Sequence, residues 1–250
     1  ANSGVSTLID DLLKNYDVDA RPVSNWTESV HVFLQMSLIQ VLSLDSIQQT
    51  MQTNIWVRAY WTDVNLRWDP QEYGGIDEIT LTPSRIWTPD IVVYESYVYN
   101  VVLTPTTDHL DLFRVNVSPD GKLGWYMPLV LSTSCKLNLD QFPWDEQKCH
   151  LKYGSWSQPA RRLDVFNFSS GIDLTGYQEN GEWDLQGVDV RKHSQPSPFN
   201  ADTYPFLVLT INLKRKASYY MINFVMPTGL VMLSMIMMHL LPDESGEKVS

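Results

Sequence analysis

Three stretches of this chain alternate apolar and other residues with a period of two. Val30, Val32, Leu34, Met36 and Leu38 interleave with His31, Phe33, Gln35 and Ser37. Ile55, Val57, Ala59 and Trp61 interleave with Trp56, Arg58 and Tyr60, and Leu207, Leu209, Ile211 and Leu213 with Val208, Thr210 and Asn212. Successive side chains of a strand point to opposite faces, so each stretch reads as a half-buried antiparallel strand. Turn signals separate such runs at Asp69-Pro70, Gly74-Gly75, Pro119-Asp120-Gly121 and Asn180-Gly181. Short strands at this spacing predict an immunoglobulin-like β-sandwich of about ten strands. A helix is expected before it, because Leu8, Leu12, Leu13 and Tyr16 share a face behind a Thr7-x-x-Asp10 capping signal. No internal repeat or low-complexity segment is present.

The other end is different in kind. From Tyr219 to Leu241 there is no Asp, Glu, Lys or Arg, and Met, Leu, Val and Ile dominate. That length predicts a transmembrane helix over 217–241, with Pro227 as a kink, rather than a buried core helix. Three glycosylation sequons, at Asn25, Asn116 and Asn167, place the preceding residues 1–216 outside the cell. The basic Lys214-Arg215-Lys216 cluster would favour the cytoplasm by charge alone, but long translocated domains override that rule. The chain opens without a signal peptide and reads as a mature N-terminus. A net charge of −11 without a basic run argues against nucleic acid as a partner.

The only two cysteines, Cys135 and Cys149, enclose Phe142-Pro143-Trp144-Asp145. In an oxidising compartment they are best read as a disulfide. Closing a loop of that size stabilises a fold by roughly 3 kcal/mol in the chain-entropy treatment. A zinc site fits less well, since no CxxC pair exists and His150 alone supplies no second ligand pair. No metal or other cofactor is implied. An enzyme fits poorly too: the five histidines are scattered, and no HExxH, GxSxG, P-loop or GxGxxG motif occurs.

The segment Asp140-x-Phe142-Pro143-x-Asp145, enclosed by two cysteines with thirteen residues between them, together with Trp87-Thr88-Pro89-Asp90, Gly154-Ser155-Trp156-Ser157, Asn180-Gly181-Glu182-Trp183, Tyr219-Tyr220 and the run Leu241 to Lys248, carries a resemblance. Nearly all of the chain is similar to the extracellular domain and first membrane helix of Cys-loop receptors, the pentameric ligand-gated ion channels, and among them to the nicotinic acetylcholine receptors. The resemblance implies a plasma-membrane receptor of synaptic type with an extracellular N-terminal domain. It implies a homopentamer in a lipid bilayer, with further membrane helices after Ser250 and residues 242–250 as a cytoplasmic turn and the start of a pore helix.

Family likeness also assigns roles. A small cationic amine would bind between subunits in an aromatic box, held by cation–π attraction of about 0.5–2 kcal/mol per favourable face. Tyr94, Trp156 and Tyr204 match the principal side, with Phe199 as a partial aromatic wall. Trp61 matches the complementary side, with Gly124 and Tyr126 on the neighbouring strand. Trp26, Trp56, Trp68, Trp87, Trp125 and Trp183 are assigned to core or sheet-face packing. The tip Phe142-Pro143-Trp144 of the bridged loop would pack on the membrane helices and carry ligand binding to the pore. Arg215 would pair with Asp45 or Asp145, because the family's acid in the first strand-to-strand turn aligns with Ser46. Glu247 and Glu244 would ring the cytoplasmic mouth and select cations.

Two departures bear on the ligand. The stretch Ser194 to Asn200 lacks the adjacent cysteines of acetylcholine-binding faces, and the segment Tyr97 to His109 is longer and rich in Tyr and Val. The alternatives are therefore a receptor not gated by acetylcholine, one liganded in the vestibule bordered by that segment, or a cell-surface binding module with a single anchor.

Overall fold

Every odd residue from Met51 to Trp61 is buried, and the even ones lie partly or largely in the open. The same parity holds from Leu207 to Leu213. These runs pair in register into two sheets whose apolar faces meet. The computed structural model describes residues 2–94, 102–103, 112–169 and 171–240. Among them are eleven strands: β1 Val30–Asp45, β2 Thr50–Thr62, β3 Ile79–Leu81, β4 Ile91–Val93, β5 Val102–Leu103, β6 Val115–Val117, β7 Lys122–Ser134, β8 Glu146–Ser155, β9 Leu163–Asn167, β10 Trp183–Pro196 and β11 Thr203–Arg215.

One sheet has six strands in the order β3-β6-β7-β2-β1-β9, and the other five in the order β10-β11-β8-β4-β5. All pairings are antiparallel except β1 with β9, which runs parallel from Val30↔Leu163 to Leu34↔Asn167. The core between the sheets holds Leu34, Ile55, Leu131, Leu151, Tyr153 and Leu209, all completely buried. Burying a Leu or Ile there contributes about 1.5–3 kcal/mol each relative to leaving it in water. This is the mainly β sandwich that the alternation predicts.

The N-terminal helix α1 runs from Asn2 to Leu13, and its Leu8 is fully buried. It starts five residues before the Thr7 signal; no proline interrupts 2–6, so the helix propagates back through Thr7. Tyr16 lies beyond its end and donates its hydroxyl to Asp63 (2.6 Å) while accepting from the Trp87 backbone N–H (3.0 Å).

At the far end the helix Ala217–Leu240 covers 24 residues with a mean hydropathy of 1.8, long and apolar enough to cross a membrane. Its interruption is a π-helical turn over Met221–Val225, just ahead of Pro227. Pro227 has no N–H to offer the Asn223 carbonyl, and its ring would collide with that group in a regular helix. The wider turn relieves the collision. The Thr228 hydroxyl then donates to the Phe224 and Val225 carbonyls, so these do not go without a partner.

Candidate functional site

The upper end of the five-stranded sheet forms an aromatic cleft of about 450 Å³ lined by Tyr94, Trp156, Phe199, Tyr204 and Phe206, with Lys152 at its side. Tyr94 follows β4, Trp156 follows β8, and Tyr204 and Phe206 stand on β11. The Tyr94 and Trp156 rings lie 5.9 Å apart, and Phe206 meets Tyr94 edge-on at 6.3 Å. The turn carrying Trp156 is fixed from below by Asp90. That carboxylate accepts the Ser155 hydroxyl (2.6 Å), the Ser157 hydroxyl (2.7 Å) and the Ser157 backbone N–H (2.8 Å). Tyr94 donates its hydroxyl to the Ser155 carbonyl at 2.7 Å. A fixed backbone therefore presents an indole that is 70% exposed.

Gly154 lets the cleft floor close. A Cβ there would come within 2.9 Å of the Pro205 carbonyl and the Phe206 Cβ, and 3.1 Å of the Tyr94 ring. Phe199 sits at the tip of the β10–β11 hairpin and is 95% exposed. The principal-side residues Tyr94, Trp156, Tyr204 and Phe199 thus line one cleft.

Trp61 does not belong to an open face. It is 2% exposed and packs edge-on against Trp87 at 6.4 Å inside the core. Its odd number on β2 points it inward with Ile55, Val57 and Ala59. The outward tryptophan of that strand is Trp56, 45% exposed. Trp56 lines a shallow groove of about 220 Å³ with Arg58, Tyr126 and Pro128 on the six-stranded sheet. The parity was visible in the sequence, where Trp56 already stood opposite Ile55 and Val57. Arg58 donates to the Ser37 hydroxyl (2.8 Å) and lies 4.0 Å from Asp173. Gly124 pairs with Tyr60 beside this groove. Of the other tryptophans assigned to packing, Trp87, Trp125 and Trp183 are buried and Trp68 packs on the core, whereas Trp26 is 81% exposed in a turn.

At the opposite end the bridged loop meets the membrane helix. Cys135 and Cys149 are bonded, with Cα atoms 5.2 Å apart. Cys135 ends the β7 side and Cys149 lies in β8, so the bridge ties one sheet to the other. Phe142 packs edge-on against Tyr220 at 4.8 Å. Phe142, Pro143 and Trp144 face Tyr220, Met221, Phe224 and Val225 across an apolar groove of about 520 Å³.

Arg215 closes β11 directly above. Its guanidinium binds both Asp145 oxygens (2.8 and 3.1 Å) and donates also to Glu182 and to the Tyr220 hydroxyl (3.2 Å). The Trp183 ring lies 4.2 Å from its central carbon. Of the two acids open to Arg215, the structure pairs it with Asp145, and adds Glu182. Asp45 instead accepts the backbone N–H groups of Ile47 (2.8 Å) and Gln48 (2.9 Å) within its own turn. Burial pushes the Asp145 carboxyl up, but Arg215 and the Gln147 amide more than reverse this and leave it below the ordinary carboxylate range. Burial likewise opposes the charge on Arg215, and Asp145 outweighs it, holding the guanidinium more firmly protonated.

The sequon asparagines are scattered. Asn25 lies in an exposed turn where its side-chain oxygen accepts the Thr27 N–H (3.2 Å), Asn116 is in β6, and Asn167 ends β9 with its amide donating to the Ser169 carbonyl. Glu244 and Glu247 lie outside the described residues, as does the segment 97–109 apart from Val102 and Leu103. Among the described residues no cluster of three or more His, Cys, Asp or Glu is placed to hold a metal.

The sequence that builds this sandwich, its aromatic cleft and its bridged loop matches a known family profile. The profile for the neurotransmitter-gated ion-channel ligand binding domain covers residues 5–217. The chain belongs to that family, one of receptors rather than enzymes. It is similar to acetylcholine receptor subunit alpha-L1 of Schistocerca gregaria, 36% identical over all of this chain and 45% of the relative. It is 34% identical to acetylcholine receptor subunit alpha-type acr-16 of Caenorhabditis elegans, over 97% of this chain and 48% of the relative. It is 30% identical to neuronal acetylcholine receptor subunit alpha-3 of Homo sapiens, over all of this chain and 48% of the relative. The chain spans about half the length of these relatives.

Proposed function

We propose that this chain is the ligand-binding domain and first membrane helix of a neurotransmitter-gated cation channel subunit, opened by a small cationic amine bound between subunits of a homopentamer. The observation that carries the reading is the pair of aromatic surfaces on different sheets: the Tyr94–Trp156–Tyr204 cleft and the Trp56–Tyr126 groove. Head-to-tail rings need two different faces on every subunit, and one chain supplies both. In such a ring the cleft of one subunit faces the groove of the next. Ring faces then surround an ammonium group from several sides. The missing cysteine pair at 194–200 leaves acetylcholine as one amine among others.

The first test is an amine screen on the full-length receptor by two-electrode recording. Against any agonist found, Trp156→Ala and Trp56→Ala are each expected to weaken potency roughly tenfold or more, and Phe replacements less. Potency indifferent to both tryptophans would overturn the interfacial site. Native mass spectrometry in detergent is expected to give five copies; a monomer or a two-fold dimer would contradict the ring. Carboxylate rings attract cations, so Glu247, with Glu244 in support, is proposed to make the pore cation-selective. Reversal potentials that follow the chloride gradient would reject that assignment.

A further inference from the structure

Residues directly opposite one another on paired strands share one face of a sheet. Across the six-stranded sheet one such row runs through Thr80, Asn116, Gly124, Tyr60 and Phe33. Asn116 points outward from it, because Val115 and Val117 on either side are completely buried and Asn116 is not. Gly124 leaves a dip beside it. A Cβ there would come within 2.9 Å of the Tyr126 hydroxyl and 3.4 Å of the Tyr60 ring. Tyr126 therefore leans over Gly124, and its ring meets Tyr60 edge-on at 5.9 Å. Tyr126 also walls the Trp56 groove. The aromatic surface of that groove thus ends one strand spacing, about 4.8 Å, from the strand that carries Asn116.

Asn116-Val117-Ser118 is at the same time a glycosylation sequon. An N-glycan is bulky and hydrated, and one rising from Asn116 would cover a groove of only about 220 Å³. This sequon differs from the one at Asn25, which lies in an exposed turn. Asn116 stands in a strand flanked by β3 and β7, and its Ser118 is followed by Pro119. The Gly121 N–H closes a turn onto the Ser118 carbonyl (2.9 Å), with Pro119 in its second position. A proline restricts the residue before it to extended conformations. That disfavours the folded-back Ser118 whose hydroxyl would reach the Asn116 amide during sugar transfer.

We propose that Asn116 is a modification site that controls assembly: bare, it completes the groove face, and glycosylated, it shuts that copy out of the ring, with Pro119 keeping it bare. This rests on the interfacial reading of the groove given above. In a homopentamer every copy offers its groove to a neighbour, so one glycan at Asn116 is enough to keep a ring from closing. The Tyr94–Trp156–Tyr204 cleft stands on the other sheet and is left clear. A modified copy therefore loses one face and keeps the other.

The test is site-resolved glycopeptide mass spectrometry on the full-length receptor from eukaryotic cells, with pentameric and unassembled fractions separated on native gels in detergent. Wild-type pentamers are expected to be bare at Asn116. Ser118→Thr with Pro119→Ala improves the sequon; its glycosylated copies should appear only in the unassembled fraction, with loss of the pentamer band. Adding Asn116→Gln removes the acceptor and should restore the band, which separates the glycan from damage to the turn. A glycan on Asn116 in wild-type pentamers, or pentamers built from glycosylated Ser118→Thr/Pro119→Ala copies, would overturn the proposal. So would a band that Asn116→Gln does not restore, or a paired variant that stays bare, since Pro119 would then not be what protects the site. A wild-type receptor that forms no five-membered ring overturns the interfacial reading and this proposal with it; a glycosylated ring overturns this proposal alone.

Discussion

Asp145→Ala is expected to destabilise the folded chain by about 3–5 kcal/mol, because it leaves the Arg215 guanidinium buried without its main counter-charge. Arg215 is 7% exposed and Asp145 2%, so water cannot replace the lost partner. Glu182 compensates little, since its carboxylate is already shared with Tyr220. Denaturant unfolding of the receptor in detergent, followed by tryptophan fluorescence, reads the change directly: Trp183 lies against the guanidinium. The pair also sets a pH response. The Asp145 carboxyl titrates below its ordinary value, so its contribution is complete above about pH 4, the unfolded carboxylate range, and disappears as pH falls through the folded value. The wild-type chain should therefore lose stability more steeply than Asp145→Ala on acidification below that point. Equal slopes in the two proteins, or a loss under 1 kcal/mol at neutral pH, would contradict the account.

Removing the bridge is the second large effect. Replacing both Cys135 and Cys149 by serine frees a loop whose ends are 14 positions apart, which is expected to cost roughly 3 kcal/mol through the unfolded state. Both sulfurs are buried, Cys135 at 3% and Cys149 at 1% exposure, so the serine hydroxyls add a desolvation cost. The fold should weaken most where the sheets join at their base. Limited proteolysis is expected to cut the double variant first within 136–148. Cleavage appearing first in the upper cleft, or an unchanged unfolding midpoint, would show that the bridge holds the two sheets less than its position implies.

What the sequence revealed depended on whether a signal was local. Alternation along β1, β2 and β11 was enough to predict a sandwich, because period two and burial are properties of neighbouring residues. The same alternation separates Trp56 from Trp61: family likeness points to Trp61, whereas strand parity turns Trp61 into the core and Trp56 outward. The partner of Arg215 was of another kind. Asp45 and Asp145 both carry charge near the right end of the sandwich, and the choice rests on a contact across 70 positions that no local pattern encodes. The Glu182 contact to Arg215 spans 33 positions and is equally invisible to any local pattern around the Asn180-Gly181 turn. The π-helical turn is legible only in part: Pro227 announced a disturbance, but where the helix absorbs it depends on which carbonyls Thr228 can reach.

The hairpin of β10 and β11 pairs without a break in chain continuity from Trp183↔Arg215 to Pro196↔Thr203, with one bulge near Leu185. At about 3.4 Å per residue the β11 arm is roughly 40 Å long. One end carries Phe199 and Tyr204 at the cleft, and the other is pinned by Arg215 and Trp183. Between those ends β11 is also laddered to β8, from Phe206↔Gly154 to Lys214↔Glu146, so the ribbon cannot swing from its foot. What freedom it has lies in the tip beyond Phe206, and a displacement of Phe199 there leaves the dense set of bonds around Arg215 whole.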